Sequence, residues 1–412
     1  MSRTGAIGIL LLLALALAGC GGTSLVNKIH GTRLTIFESV PLDGAAEPDG
    51  QAVLNGAQLA LNQIGGRIGR YRIRIRVLDD ATATAGGWDP GQTEADARIA
   101  AADRTAIGYI GDLESGASAV SIPLLNREGI AQISPMSTAV GLTSDAPGSS
   151  PGEPEKYYPT GVRTFARVMP NDLVGAAAQV SLEQQLGCTR TYVLEDEEVD
   201  GVDYATTFAA AAKTAGLTVI GTQSYETGAA SYTSLAASVA TATPDCVVLS
   251  ALNPTSAVLV TEALGTALPH ARIFAGASLA IGAYTSPELG GIPVSLDRRV
   301  LIMVGALGRR SYPPAGRAFL QRYSIAFGPP PPDAIFGYEA MSLMLDAIAR
   351  ATGGGHRQAV RSRVVAALFA THDRASVLGT YSIDRAGDTT LRSYGVWRIV
   401  AGRLSFWKAI TG

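Results

Sequence analysis

Two hydroxyl-rich segments carry the residue types best suited to hold an anion. Each directly follows a predicted buried strand, Ile107–Gly111 for the first and Ile130–Ser134 for the second. The residues concerned are Ser115, Gly116, Ala117, Met136, Ser137 and Thr138. In parallel α/β sheets, ligands bind beyond the carboxyl ends of the strands, where the first turns of helices present N–H groups. The segments therefore predict a cradle for a carboxylate, although plain helix capping by Ser and Thr would also explain them.

Motifs for catalysis are not evident in the sequence. It has no nucleophile elbow and no phosphate-binding loop, and its four His residues have no partner at ligand spacing. One dense acidic run, Glu195–Glu198 followed by Asp200 and Asp203, could bind a cation. Its position between a predicted strand and a predicted helix favours acids that interact with the helix dipole instead. We therefore predict no catalytic residue, no metal site, no cofactor and no enzymatic activity.

Length and composition favour a large globular protein that binds no nucleic acid. The chain has 412 residues, of which 47% are hydrophobic and 17% are charged, and its net charge is −2. Apolar content on this scale excludes a disordered chain, and the balanced charge gives no basic surface for DNA or RNA. At roughly 150 residues per domain, we expect two or three domains.

The N-terminus has the features of an export signal. The apolar run Ile7–Ala18 follows a basic start and is shorter than a membrane-spanning helix. It ends in small residues before Cys20, a pattern that resembles a bacterial lipobox and implies cleavage before Cys20 and a lipid on its sulfur. The alternative is an ordinary signal peptide with a chance cysteine. We predict a signal peptide over residues 1–19, a lipid-anchored tether over residues 20–32, and an extracytoplasmic location at the cell membrane.

The two remaining cysteines, Cys188 and Cys246, each stand just ahead of a predicted buried strand. If those strands, Thr191–Glu195 and Val247–Ser250, are parallel neighbours, their first residues lie side by side within reach of a disulfide bond. We therefore predict a Cys188–Cys246 disulfide, with two buried thiols as the alternative.

Strand-like and helix-like segments alternate along most of the chain. After a loop over Ser144–Thr160, the alternation restarts and continues to the predicted strand Arg272–Ala275. This order predicts an α/β protein whose parallel sheets are covered on both faces by helices. The tail is expected to contain antiparallel strands at Thr380–Ile383, Arg392–Val400 and Leu404–Lys408.

Short motifs over most of the chain resemble the solute-binding proteins of branched-chain amino acid ABC importers, the leucine/isoleucine/valine-binding type. The matching stretches are Asn55–Ala57, Leu78–Asp80, Ile110–Ser115, Ile133–Thr138, Leu142–Thr143, Phe165–Asp172, Phe336–Ala340, Gly379–Asp384 and Gly387–Asp388. The resemblance implies the type I periplasmic binding protein fold, in which two doubly wound parallel-sheet lobes are joined by a three-strand hinge. It assigns residues 33–167 and 306–380 to lobe 1, and residues 168–305 and 381–412 to lobe 2. The crossings are expected near Arg167–Pro170, Val304–Leu307 and Leu378–Ile383.

The resemblance also implies a ligand site. In this family the ligand α-carboxylate is held by a serine that matches Ser115, by the backbone at Met136 and by a threonine that matches Thr138. All three positions are intact in this chain. Residues of the second lobe then close over the ligand amine and side chain.

Three positions depart from the family pattern. Ser278 stands where the family has the glutamate that pairs with the ligand amine, and Asp49 and Asp200 stand where it has aromatic residues. We expect Asp49, Glu114 and Asp200 to supply negative charge elsewhere in the cleft. The ligand is then a polar amino acid, a cationic one or an unrelated small polar molecule. An insertion at Ala81–Pro90 is expected either to add a wall to the cleft or to form a surface loop.

Together these features predict a lipid-anchored solute-binding protein that acts as a monomer. It would capture an amino acid or similar small polar solute by lobe closure and deliver it to the membrane permease subunits of an ABC importer. The alternative is a ligand-sensing receptor of the same fold that signals to a separate partner. A third hypothesis, an exported hydrolase that uses the carboxylates of 196–203, lacks a nucleophile–base pair.

Overall fold

The computed structural model describes residues 28–412. The predicted signal peptide and the predicted lipid site Cys20 lie outside the described residues. The strands are β1 (Arg33–Val40), β2 (Arg67–Ile68), β3 (Tyr71–Asp79), β4 (Ala81–Thr82), β5 (Gly87–Trp88), β6 (Ala106–Ile110), β7 (Ala131–Ser134), β8 (Phe165–Arg167), β9 (Thr191–Glu195), β10 (Val219–Ser224), β11 (Cys246–Ser250), β12 (Arg272–Ala275), β13 (Val300–Val304), β14 (Arg374–Ala375), β15 (Thr380–Tyr381), β16 (Ser393–Val400) and β17 (Arg403–Thr411). The helices are α1 (Glu47–Gln63), α2 (Pro90–Ala102), α3 (Ser115–Arg127), α4 (Asp172–Gln185), α5 (Val199–Ala215), α6 (Thr233–Thr241), α7 (Pro254–Ala267), α8 (Gly282–Thr285), α9 (Pro314–Phe327), α10 (Ala334–Thr352) and α11 (Arg361–Phe369). None of these helices is both long and apolar enough to cross a lipid bilayer.

The first sheet contains six strands in the order β2–β3–β1–β6–β7–β8. Neighbouring strands are parallel, except that β2 and β3 form an antiparallel pair. The central strand β6 is buried along its whole length, because helices cover both faces of the sheet. Strand β3 begins with buried Tyr71 and Ile73 alternating with exposed arginines, so one face of this strand is in contact with solvent.

The second sheet contains seven strands in the order β10–β9–β11–β12–β13–β16–β17. The first five are parallel, and β16 and β17 add an antiparallel hairpin at one edge. The hairpin confirms two of the predicted tail strands. The third, predicted at Thr380–Ile383, is shorter, and β15 pairs with β14 in a separate two-stranded ribbon. The two sheets confirm the predicted α/β fold class with two lobes.

Helices α1 and α10 cross in direct backbone contact beside the first sheet. A Cβ atom at Gly56 would lie 2.1 Å from the Ala334 carbonyl oxygen, and one at Gly337 would lie 2.1 Å from the Val53 carbonyl oxygen. Only glycine permits helices to approach this closely. The contact fixes the first turn of α1, which carries Asp49, relative to the start of α10.

The chain passes between the two sheets three times. It leaves the first sheet at Arg167 and enters the second lobe through α4, and it returns after β13 to α9 and α10, which pack on α1. It passes to the second sheet again between β15 and β16. These passages lie at the segments where the family resemblance implies the hinge.

Two sequence expectations need correction. The tether was expected to extend to residue 32, but Ile29 is buried and its N–H donates to the Ala359 carbonyl oxygen at 3.0 Å, while Lys28 pairs with Val360. An apolar side chain gains free energy by burial, so this part of the chain packs on the lobe and the tether prediction is confined to residues 20–27. The acidic run was expected to lie between a strand and a helix, but α5 begins at Val199, so Asp200 and Asp203 lie within its first turns.

Cys188 and Cys246 form the predicted disulfide, with a Cα–Cα distance of 5.8 Å. The cause is the one anticipated from the sequence: β9 and β11 are parallel neighbours, with Cys246 opposite Thr191. The bond links the start of β11 to the end of the turn after α4, within the second lobe.

Candidate functional site

The two hydroxyl-rich segments lie next to each other at the carboxyl edge of the first sheet. Their strands β6 and β7 are parallel neighbours, with Ile110 opposite Ile133, so both chains leave the sheet at the same edge. The first helical hydrogen bond of α3 runs from the Ser118 N–H to the Glu114 carbonyl oxygen at 3.1 Å. The N–H groups of the three preceding residues, 115–117, therefore have no partner within the helix.

Ser115 links the two segments. Its Oγ accepts hydrogen bonds from the N–H groups of Thr138 at 3.2 Å and Ala139 at 3.1 Å. Thr138 belongs to the segment that the family resemblance assigns to the ligand carboxylate, and Ala139 directly follows it. The Ser115 hydroxyl is 7% exposed, and its own proton remains available for donation to a third group.

Ser137 holds the loops together from inside. Its side chain is 1% exposed, and its hydroxyl lies 2.8 Å from the Ser118 Oγ and 3.1 Å from the Asp112 carbonyl oxygen. Ala117 is also completely buried. The side chains of Ser137 and Ala117 are therefore not accessible to a ligand. Of these two residues, which were both predicted to line the site, only the backbone groups could contact a ligand. Met136 is half-buried, and its N–H donates to the Ser134 Oγ at 3.2 Å.

Trp88 lies directly over the first turn of α3. A Cβ atom at Gly116 would be 2.7 Å from the Trp88 ring, so glycine is required for the indole to pack there. Trp88 sits on the hairpin formed by β4 and β5, which is the insertion noted in the sequence. Of the two interpretations of that insertion, the structure favours the wall over the plain surface loop.

A cavity of about 140 Å³ lies between the two lobes. Thr138 lines it from the first lobe, and Asp200 and Ser278 line it from the second. The other lining side chains include Met169, Asp172, Tyr204, Met303 and Tyr394. The structure therefore brings three predicted site residues together and adds neighbours that the sequence reasoning did not assign.

A backbone hydrogen bond connects the two lobes at the site. The Asp172 N–H, at the start of α4, donates to the Thr138 carbonyl oxygen at 2.9 Å. On the other wall, the Ser278 Oγ donates to the carbonyl oxygen of Ala251, which also lines the cavity, at 2.6 Å. Asp172 was within a matching sequence stretch, but its proximity to Thr138 depends on how the two lobes meet.

Carboxylates dominate the electrostatics of the site. Burial raises the pKa of Glu114 to about 7, and the charges of Asp49 and Asp200 contribute to the shift. Burial and the nearby charge of Asp172 raise the pKa of Asp200 to about 7. Burial raises the pKa of Asp172 to about 6, against the opposing effect of a hydrogen bond from Thr138. The predicted acids Asp49, Glu114 and Asp200 therefore act on one another although they come from both lobes.

Asp49 has a carboxyl partner that the sequence gave no reason to choose. Asp333, just before α10, is buried, and burial together with the charge of Asp49 raises the pKa of Asp333 to about 8. Burial also raises the pKa of Asp49, and the hydrogen bond to Asp333 opposes that shift. Burial and the charge of Asp49 thus favour the protonated form of Asp333.

Carboxylates of the acidic run at the end of β9 accept hydrogen bonds from backbone N–H groups of the same lobe. The Asp196 Oδ2 accepts from the N–H groups of Leu252 at 2.6 Å and Asn253 at 3.2 Å, and Glu195 accepts from the Glu197 N–H at 2.7 Å. These contacts fit a strand end that connects to a helix, as the sequence favoured.

Comparison with known proteins identifies the fold. A sequence model described as a periplasmic binding protein matches residues 39–403. The chain belongs to the periplasmic binding protein family. Members of this family are non-enzymatic, extracytoplasmic solute-binding proteins, which confirms the prediction that the chain is not an enzyme. A search of curated protein sequences found no match.

Solved structures with the same fold include transport proteins with different ligands. A leucine-binding protein LivK from Thermotoga maritima superposes with a TM-score of 0.74 at 19% identity, over 92% of this chain and 99% of that one. LivJ from Streptococcus pneumoniae, solved with isoleucine, gives a TM-score of 0.72 at 17% identity, over 92% and 99% of the two chains. A solute-binding protein from R. palustris, solved with benzoate, gives 0.70 at 18% identity, over 92% and 96%. The likeness confirms the type I periplasmic binding protein fold.

Proposed function

We propose that this periplasmic binding protein captures an amino acid or similar small polar solute by lobe closure and delivers it to the permease subunits of an ABC importer. The observation that carries the proposal is the cavity between the lobes, which Thr138 lines from one side and Asp200 and Ser278 line from the other. Two proteins of the same fold were solved with isoleucine and with benzoate, and both of these ligands are small molecules with a carboxylate group.

The proposed first-lobe contacts combine Thr138, which lines the cavity, with the start of α3, which Ser115 links to Thr138. A ligand carboxylate would accept hydrogen bonds from the N–H groups at the start of α3, at Ser115, Gly116 and Ala117, and from the Ser115 hydroxyl. Thr138 and the Met136 backbone would complete the first-lobe side. The segment of Ser137 would keep the two loops in register, since its hydroxyl bridges them.

The second-lobe side would hold the rest of the solute. Asp200 and Ser278 would contact it there, while Glu114 and Asp49 would supply charge from the first lobe. In this proposal lobe 1 comprises residues 33–167 and 306–380, and lobe 2 comprises residues 168–305 and 381–412. A solute that touches both lobes only in the closed form shifts the equilibrium toward closure by its difference in affinity for the two forms.

We further propose that the chain acts as a monomer at the outer face of the cell membrane, held by a lipid on Cys20 through the tether 20–27. Two acyl chains on one cysteine would anchor it stably, whereas one would not. Intact-mass measurement of the protein extracted in detergent would test this: a diacylglyceryl mass on a chain that begins at Cys20 supports the anchor, and an unmodified N-terminus rejects it.

A thermal-shift screen of the purified protein against amino acids, amines, amides and small carboxylic acids tests the capture function. A binder raises Tm in proportion to the logarithm of its concentration over Kd. The proposal expects at least one such solute, and isolation of permease subunits with the solute-loaded chain would support delivery. Recovery of a signalling protein instead of a permease would favour the sensor alternative.

A further inference from the structure

The cavity between the lobes is acidic in the described structure. Its ionisable carboxylates are Asp172 at the start of α4 and Asp200 in the first turn of α5, and no Lys, Arg or His of residues 28–412 appears among its lining residues. A third carboxylate, that of Glu114 in the first lobe, is not among the lining residues but lies nearby. Its Oε2 is buried without a hydrogen-bond partner, and its charge interacts with that of Asp200.

A fourth carboxylate lies directly behind the cavity wall. Asp196 is 2% exposed, and its Oδ1 has no hydrogen-bond partner. A Cβ atom at Gly201, which lines the cavity, would be 2.4 Å from that oxygen. Because Gly201 has no side chain, the Asp196 carboxylate lies close to the cavity wall. Its negative charge therefore contributes to the electrostatic potential inside the cavity.

The nearest cations in the structure are engaged elsewhere. The Arg167 guanidinium binds Asp388 and the carbonyl oxygens of Ser137 and Ala139. Lys156, on the loop 144–160 of the first lobe, forms an ion pair with Glu153 at 2.9 Å. The Arg167 charge favours the ionised form of Asp172, but neither cation is among the residues that line the cavity.

From this arrangement we propose that the captured solute is an organic cation that carries an ammonium or guanidinium group, held by Asp172, Asp200 and Glu114. The inference rests on the proposed solute-binding function and specifies its substrate class. Buried carboxylates without a counter-ion are costly, and a positively charged solute that enters between them removes that cost when the lobes close. A neutral or anionic solute of the same size does not.

The apolar part of the wall suits the stem of such a solute. Met169, Met303 and the rings of Tyr204 and Tyr394 line the cavity. Both tyrosine hydroxyls are bound away from it, to the Gln179 Oε1 at 2.6 Å and to the Pro170 carbonyl oxygen at 2.8 Å. The tyrosine rings and the methionine thioethers can therefore contact the methylene groups of the solute. The face of a tyrosine ring also attracts a cation.

Calorimetric titration of the purified full chain with L-arginine, putrescine, L-leucine and benzoate tests the inference. We expect L-arginine or putrescine to bind, and the comparison of the two shows whether the site also requires a carboxylate. Asp200→Asn should weaken cation binding at least ten-fold, because it removes a charge-assisted contact. Asp172→Asn provides a second variant with the same expectation. Glu198→Gln removes an exposed charge two residues from Asp200, outside the cavity lining, and should change affinity less than about three-fold because solvent and salt screen it.

Binding of leucine or benzoate without binding of either cation would overturn the substrate class and leave the solute-binding function intact. Cation binding that is equally strong in Asp200→Asn, Asp172→Asn and Glu198→Gln would also overturn it. If none of the four probes binds, the cation inference fails, whereas the capture function fails only if the wider thermal-shift panel also yields no ligand.

Discussion

Arg167 and Asp388 form an ion pair between two of the chain segments that connect the lobes, with 2.6 Å between Nε and Oδ1. Arg167 is completely buried, and its Nη1 donates to the carbonyl oxygens of Ser137 and Ala139 at 3.1 and 2.9 Å. These two carbonyls flank Thr138. The same guanidinium therefore ties the hinge to the loop that lines the cavity.

Asp388→Ala is expected to destabilise the protein strongly, because it leaves the buried Arg167 charge without its carboxylate. Removing one partner of a buried pair typically costs about 3–5 kcal/mol. Denaturant unfolding should show this loss, and calorimetry should show weaker solute binding because the Thr138 loop loses its support. Asp346→Asn is the matched control: it breaks the half-exposed pair with Arg350, at 2.8 Å, and should cost less than about 0.5 kcal/mol. Equal losses in the two variants would contradict the hinge role.

Ser115→Ala should weaken solute binding about ten-fold or more. The substitution removes the acceptor of the Thr138 and Ala139 N–H groups and the hydroxyl proposed to reach the ligand. A hydrogen bond to a charged group is worth about 1.5–3 kcal/mol, which corresponds to at least ten-fold in Kd. Thr138→Ala should have an effect of similar size. Ser181→Ala on α4, whose hydroxyl only meets an exposed glutamine, serves as the control, and unchanged affinity in both site variants would reject the site.

The loop 144–160 of the first lobe contacts helix α5 of the second. The Thr207 Oγ1 donates to the Pro147 carbonyl oxygen at 3.1 Å, and a Cβ atom at Gly148 would lie 1.9 Å from that Oγ1. Gly148→Ala should therefore hinder the closed arrangement and weaken solute binding about ten-fold, or ~1.4 kcal/mol. Calorimetry on the wild type and the variant measures the change.

Gly152→Ala is the matched control for this contact. Gly152 lies on the same loop with a similar positive φ, 86° against 97°, but a Cβ atom there would meet nothing within 4 Å. Both variants carry comparable backbone strain, of about 1 kcal/mol, so only the contact between the lobes differs. Equal affinities in the two variants would show that the loop does not take part in closure.

Asp80 makes the stability of the protein depend on pH. It is fully buried without a hydrogen-bond partner, and burial with the nearby charge of Asp112 raises its pKa to about 9. The folded chain therefore binds a proton that the unfolded chain, with a pKa of about 3.9, releases. This contribution to stability is complete below about pH 4 and is lost as pH rises toward 9.

Asp80→Asn should reduce this dependence and raise Tm at pH 8, by about 2–4 °C for each 1 kcal/mol gained. Thermal unfolding between pH 5 and pH 8 measures it. Asp373→Asn, at an exposed turn, should leave the wild-type slope unchanged. A steeper loss of Tm toward pH 8 in Asp80→Asn than in the wild type would contradict the assignment.

The fold follows from local patterns, because the buried strands are short segments rich in apolar residues that alternate with helical segments. Thr191–Glu195 and Arg272–Ala275 form with the predicted bounds, and the Cys188–Cys246 bond follows from the adjacency of the strands that follow the two cysteines. The starts of helices were less predictable from the sequence. Helix α5 begins at Val199, inside the acidic segment, because an acidic residue such as Asp200 interacts favourably with the N-terminal end of a helix dipole.

The candidate site was predictable in part, since Thr138 of the first lobe and Asp200 and Ser278 of the second were selected from the sequence and line one cavity. Ser115 and Thr138 could be selected because a strand and a helix start stand next to each in the sequence. Asp172, Trp88 and Asp333 depend on contacts between segments far apart in the chain, and no local pattern encodes those contacts. The sequence also could not indicate that Ser137 is fully engaged inside the loop, since a hydroxyl next to a strand end looks the same whether it faces the cavity or the core.

Small-angle X-ray scattering with and without the solute that binds most tightly in the thermal-shift panel tests the central claim most directly. If the two lobes close around the solute, its addition should reduce the radius of gyration of the wild type, and Gly148→Ala should need more solute to reach the same compaction. A solute that binds tightly while the scattering curve stays unchanged would contradict capture by closure.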